Sequence, residues 1–346
     1  MRVAGSPAGQ SAAGARSHVA PATRPPDTGG DLAPARDSSP QRPGAGRRRL
    51  LRRRVEIGLF VTPALALYLL FVLLPIGLAA YYSVYHWNGL GPLNDFIGLA
   101  NYRRVLADDT FRQAVAHNFL VIAFSLLFQL PLALGIALLL NRRLRGQAAL
   151  RLVIFAPYVL SEVITATIWL LMLQPDGLVD KTLRAVGLGG LVHLWLADTR
   201  LVFYTMFVVV TWKYLGFGII LFLAGLQGIP LELREAAAID GAGELETIRH
   251  VIVPLLGPTI RIWSFLAIIG SLQLFDLIWI MTGGGPADAS NTMVTYLFER
   301  GFTRYQFGYG SAVAVILFLI SLVFAIAYQR YVLRRDVEGA LTRAVG

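Results

Sequence analysis

Six long apolar runs constrain this chain more than any other feature. They occupy residues 57–83, 117–140, 151–173, 201–226, 258–281 and 308–332, each near or above the ~20 residues an α-helix needs to cross ~30 Å of hydrocarbon. Lipid offers backbone amides no hydrogen-bond partner, so runs of this length must satisfy their N–H and C=O groups internally, as helices. The sequence therefore predicts an all-α integral membrane protein with six transmembrane helices. Only 15% of the 346 residues are charged, against 55% hydrophobic, which is more apolar surface than one soluble core can use.

The basic residues set the expected orientation. Seventeen flank one set of run ends (Arg47 to Arg54, Arg142 to Arg151, Arg234 to Arg261, Arg330 to Arg343), and eight flank the other, including Arg103, Arg104 and Arg300. The positive-inside bias then predicts a multi-pass plasma (inner) membrane protein with both termini cytoplasmic. A formal charge of +10 does not point to nucleic acid, because the arginines sit beside apolar runs and not among aromatics on a polar face. Trp87, Trp195 and Tyr305 fall near the outer run ends, where amphipathic rings favour the headgroup layer. Pro63, Pro75 and Pro131 lie inside runs and are expected to kink them.

Residues 1–46 carry few large apolar side chains and are expected to form a disordered cytoplasmic tail. The permease-like body is expected over 57–332, with a cytoplasmic loop at 227–257 and a second tail at 333–346. There is no cysteine, so disulfides and thiolate chemistry are excluded. The five histidines are scattered, none in a metal-ligand pair, and no metal site or catalytic group is expected.

Between the fourth and fifth runs lies LREAAAIDGAGELETIRHVIVPLLGP, residues 233–258. Pro230 suits a helix start, Glu232 and Glu235 suit its positive end, and Ala236 to Ala238 are strong helix formers. Asp240-Gly241 reads as the stop, since glycine takes the left-handed conformation that closes a helix. A second short helix is expected from about Glu244 to Val251, ending before Pro254.

This hook resembles the EAA loop of ABC importer permeases. Glu235, Ala236, Ala237, Gly241 and Pro254 stand at the family spacing, with Val251 and Val253 where Ile and Leu are usual. FAPYVLSEVITATIW (155–169), WKYLGFGIILFLAGLQGIP (212–230) and FDLIWIMTGGGPADAS (275–290) extend the likeness to MalF/UgpA-type sugar permeases over about 57–332. The resemblance implies a permease subunit of an ATP-driven, binding-protein-dependent sugar importer. It also implies that Glu235, Ala236, Ala237, Asp240 and Gly241 form a coupling helix docking on a separate ATPase. The implied partners are a second permease, two ATPase subunits holding ATP and Mg, an extracytoplasmic solute-binding protein and the lipid bilayer. A polyol or sugar-phosphate importer is the alternative within that superfamily.

The chain's only lysines, Lys181 and Lys213, both lie outside any phosphate-binding G-x-x-x-x-G-K-[ST] loop, so the sequence predicts no ATPase of that type and no enzyme. GGGP (283–286) follows an apolar run with no lysine after it and reads as a turn. An ion-driven secondary transporter, with Glu162, Lys213 and Asp276 as its relay, is the rival from another class; repeated halves with broken helices, which it should show, are not evident in the sequence.

Polar groups are costly in hydrocarbon unless they face partners or a wet cavity, so they mark a candidate pathway. Tyr158 and Glu162 are spaced to share a face of the third run, continued by Thr165 and Trp169; pairing of Glu162 with Lys213 is the competing structural role. Trp212, Gly216 and Ile219 align on the fourth run, where an indole could stack on a sugar and a glycine make room. Gln273 and Asp276 are spaced to share a face on the fifth. In relatives of the MalF type the substrate site is built on these same three helices. Gln129, beside Pro131, is expected to mend the kink.

Overall fold

The computed structural model describes residues 45–142 and 145–333, apart from the side chains of 45–55. The expected N-terminal tail therefore lies outside the described residues except for 45 and 46, and the C-terminal tail lies outside them after Leu333. Two units divide the chain, Met1–Thr62 and Pro63–Gly346. The first contains helical residues from Ala45 onward; apart from the start of the apolar helix Glu56–Tyr82, all that follows concerns the second.

The regular structure among the described residues is helical, with a lone bridge between Tyr85 and Phe96 as the only β pairing. Four helices are long and apolar enough to cross a membrane: Glu56–Tyr82, Asp109–Leu140, Val202–Gln227 and Phe307–Leu333. Two further helix pairs are long and apolar enough only when taken together. Gln147–Val159 and Glu162–Leu173 meet at 100°, and Glu244–Leu255 and Gly257–Leu272 at 67°. Four unbroken spans thus become six if each bent pair counts as one.

Prolines explain three widened turns. Leu69–Leu73, Ser125–Gln129 and Ile248–Ile252 are π-helical, and each ends two residues before a proline: Pro75, Pro131 and Pro254. In each, the residue just before the proline donates to the carbonyl five places back, as Leu130 does to Ser125. A proline offers no N–H and crowds the carbonyl four residues earlier; a wider turn moves that carbonyl aside. The helix consequently continues through Pro254 to Leu255, and the expected end before Pro254 is corrected.

Two expected runs are interrupted. The third breaks at Leu160–Ser161, where Ser161 caps the helix Glu162–Leu173 by accepting from the Ile164 N–H. The fifth breaks over 273–275, between Gly257–Leu272 and Asp276–Thr282. Carbonyls freed in apolar surroundings need donors, and buried side chains from other elements supply them. Lys213, 2% exposed, donates to the carbonyls of Tyr158 and Leu160. Asn118 donates to the Ser271 carbonyl at 2.6 Å and Thr292 to that of Leu274 at 2.8 Å.

Val202–Gln227 is the packing centre, with half of its most apolar stretch buried. Gly216 lets it approach the helix Gln147–Val159: a β-carbon there would stand 2.7 Å from the Ile154 carbonyl oxygen. Ile219 and Phe222, fully buried, pack against Ala133 and Ala137 of the second span.

Candidate functional site

The hook is built by local bonds. The helix Leu231–Ile239 carries Glu235, Ala236 and Ala237, and Pro230 stands just before it as the N-cap. Gly241 takes φ +81°. Its N–H donates to the Ala238 carbonyl, and the next N–H, of Ala242, reaches back to Ala237 at 2.9 Å. That pair of bonds is a Schellman closure, satisfying carbonyls the helix end leaves free. The helix from Glu244 then starts with the Glu246 carboxylate accepting from the Gly243 N–H at 2.9 Å, which satisfies a donor at that end.

What the hook presents outward is apolar at its tip. Ile239 is 86% exposed and Leu245 77%, either side of the Asp240-Gly241 turn. Glu235, Ala236, Asp240 and Gly241 are exposed as well, with Ala237 half-buried. An exposed ion pair from Arg142 to Glu244 links the hook to the connection after the second span.

A cavity of about 240 Å³ opens among four helical segments. Ser125 and Gln129 come from Asp109–Leu140, Tyr158 from Gln147–Val159, Tyr214 from Val202–Gln227, and Trp263 and Ser271 from Gly257–Leu272. Ser125 and Gln129 are almost fully buried yet make no side-chain hydrogen bond among the described residues. They are therefore donors and acceptors available to whatever enters. Gln129 thus faces the cavity; the kink at Pro131 is relieved by the widened turn instead.

Of the residues expected on the pathway, Tyr158 lines this cavity, its ring stacked on Phe217 at 5.2 Å. Glu162 stands one step behind it, accepting from the Tyr214 hydroxyl at 2.8 Å, with the Lys213 ammonium 3.8 Å away. The 100° break separates Tyr158 from Glu162, so they do not share a helical face. Trp212 is 36% exposed and packs edge-on against Trp169. Gly216 and Ile219 are buried in helix packing and do not line the cavity. Gln273 ends one helix and Asp276 begins the next, both exposed, so the expected shared face is replaced by a break.

Sequence reasoning missed Ser125, Tyr214, Trp263 and Ser271. Membrane helices are apolar on every side, so periodicity does not tell a cavity face from a lipid face. GGGP is a turn, as expected: Gly283 closes Asp276–Thr282 in the left-handed conformation. No group of three or more potential metal ligands occurs among the described residues.

Residues 129–337 match the family described as binding-protein-dependent transport system inner membrane component. The chain is 33% identical over 287 residues to the trehalose/maltose transport system permease protein MalF of Thermococcus litoralis, covering 82% of this chain and 95% of that one. It is 34% identical over 292 residues to the diacetylchitobiose uptake system permease protein NgcF of Streptomyces coelicolor, covering 81% and 83%. In fold it is similar to a chain of a bacterial ABC transporter involved in the import of the acidic polysaccharide alginate. That match has a TM-score of 0.72 and 22% identity, and covers 83% of this chain and 98% of the other.

Proposed function

The chain belongs to the binding-protein-dependent transport system inner membrane component family, and we propose that it is the permease subunit of an ATP-driven carbohydrate importer. The observation that carries the mechanism is the hook: a rigid helix-turn-helix, closed by its own backbone bonds, presenting Ile239 and Leu245 to solvent between two membrane helices. Exposed apolar groups held on a preorganised element are suited to a protein partner. ATP and Mg belong on that partner, a separate ATPase, and closure of its nucleotide site pulls on Glu235 to Gly241.

Because the helix from Glu244 continues through Pro254 and meets Gly257–Leu272 at 67°, a displacement of the hook is passed directly to helices that line the cavity. Substrate passes between this chain and a second permease, with the sugar received from an extracytoplasmic binding protein. The exposed polar groups Trp212, Gln273 and Asp276, with Glu162 half-buried, support a path at that interface, since such groups are expensive against lipid. The hook and both termini are cytoplasmic in this reading, as the arginine asymmetry supports.

The test is uptake by the chain reconstituted with its partner subunits and binding protein in proteoliposomes. Carbohydrate accumulation that requires internal or external ATP on the hook side, and survives ionophores, is expected. Accumulation that follows an ion gradient without ATP would overturn the reading in favour of secondary transport.

A further inference from the structure

The molecule has a second built cavity that the transport mechanism above does not use. It measures about 350 Å³ and lies between the loop after the first span and the segment before the last. By alternation of the spans it opens on the side opposite the hook. Its walls are held by buried bonds: Asn101, 1% exposed, donates to the carbonyls of Ser83 and Tyr85, and the Gly308 N–H donates to that of Trp87 at 2.9 Å. The two arms of the loop are tied together by His86 N–H to the Asp95 carbonyl and Ile97 N–H to that of Val84, each 2.9 Å.

The lining mixes three chemistries. Tyr305 is 65% exposed at the rim and takes φ +53°, a left-handed conformation that costs a bulky residue energy and that persists where the surroundings enforce it. Its ring and the Trp87 indole supply apolar faces. Asn94 and Gln306 supply amides that both donate and accept, and Asp95 accepts. Arg104 lies over the Tyr309 ring, 5.3 Å from its centroid, with no carboxylate partner among the described residues.

From this lining we infer that the cleft is a subsite for a pyranose ring. A pyranose presents C–H faces to aromatic rings and a belt of hydroxyls that each donate and accept, and the cleft offers the complement to both. Its volume is at the lower end for ligand pockets, enough for one or two sugar rings, and its fixed walls reduce the ordering lost on binding. The inference rests on the reading of the chain as a carbohydrate importer's permease: the cleft is where sugar leaving a binding protein would first touch it.

The experiment is saturation-transfer difference NMR with maltose and with lactose on the assembled transporter in nanodiscs, without binding protein. Transfer to ring C–H protons is expected with the parental chain, reduced at least threefold by Tyr305→Ala and by Asp95→Asn, and retained by Tyr305→Phe, which keeps the ring. Unchanged melting midpoints would show that the variants remain folded, as the exposure of both side chains leads us to expect. No transfer to either sugar, or equal transfer in parent and variants, overturns the site. ATP-driven sugar uptake with an empty cleft would remove this site and leave the import reading intact. An occupied cleft in a complex that takes up no carbohydrate would do the reverse.

Discussion

The Lys213 ammonium is bound to the main-chain carbonyl of Leu160, at the break where Gln147–Val159 and Glu162–Leu173 meet at 100°. A second bond reaches the Tyr158 carbonyl at 3.3 Å, while the Glu162 carboxylate is farther away at 3.8 Å. The lysine therefore serves first as the donor a broken helix requires, and only second as half of an ion pair.

Lys213→Met should accordingly lower stability by about 1–3 kcal/mol for each buried acceptor left without a donor. Glu162→Gln should cost less, because the amide oxygen still accepts from Tyr214 and Lys213 keeps its carbonyls. Thermal unfolding in detergent checks both. Rescue of Lys213→Met by adding Glu162→Gln would show instead that the ion pair, and not the carbonyl bonds, is what the lysine provides.

Gly216→Ala should separate two helices, since the new methyl would stand 2.7 Å from the Ile154 carbonyl oxygen and 3.3 Å from the Phe155 α-carbon. Overpacking of this kind costs about 1–3 kcal/mol. The expected outcome is a lower yield of folded chain at unchanged uptake per folded complex. A normal yield with altered uptake would mean that the glycine makes room for substrate after all.

Gly241 has open space around its α-carbon, so its substitutions report backbone conformation alone. Gly241→Ala should cost about 1–2 kcal/mol locally, the price of a left-handed L-residue. Gly241→Pro forbids φ +81° outright and removes the N–H that donates to Ala238. Membrane abundance should hold in both while sugar-stimulated ATP hydrolysis by the complex falls, most in the proline variant. Full stimulation with Gly241→Pro would detach the hook from coupling.

Asp108, just before the second span, gives a pH-dependent contribution. Partial burial pushes its carboxyl up, but the Tyr296 hydroxyl at 2.8 Å, the Phe111 N–H and Arg300 at 4.0 Å outweigh this and hold it below the ordinary aspartate value. A lowered folded-state value stabilises above the unfolded-state pKa of ~3.9 and is lost as pH falls through the folded one. The thermal midpoint of the parent should exceed that of Asp108→Asn at neutral pH, and the gap should narrow once the pH falls below the ordinary aspartate value of ~3.9 and close below the folded-state one. An equal gap at both pH values would assign the effect to helix capping alone.

The hook was legible in the sequence because the backbone bonds that close its turn and start its second helix are local. Glycine at the closing position, alanines before it and a glutamate three residues into the next helix specify the Schellman closure and the following cap with no help from distant residues. The six apolar runs were legible for a similar reason: length and composition decide whether a segment can sit in lipid. Ser161-Glu162 inside the third run was in fact a cap signal, hidden by the apolar residues on both sides. Tertiary structure alone decided which breaks a buried donor could support. Lys213 lies 53 residues from Leu160 in sequence and Asn118 lies 153 from Ser271, and a carbonyl in an apolar interior is tolerable only when packing brings such a donor to it. The same packing turned Gly216 and Ile219 inward and brought Gln129, Tyr214 and Trp263 around one cavity, because helices apolar on every side carry no moment that says which face meets lipid and which meets another helix.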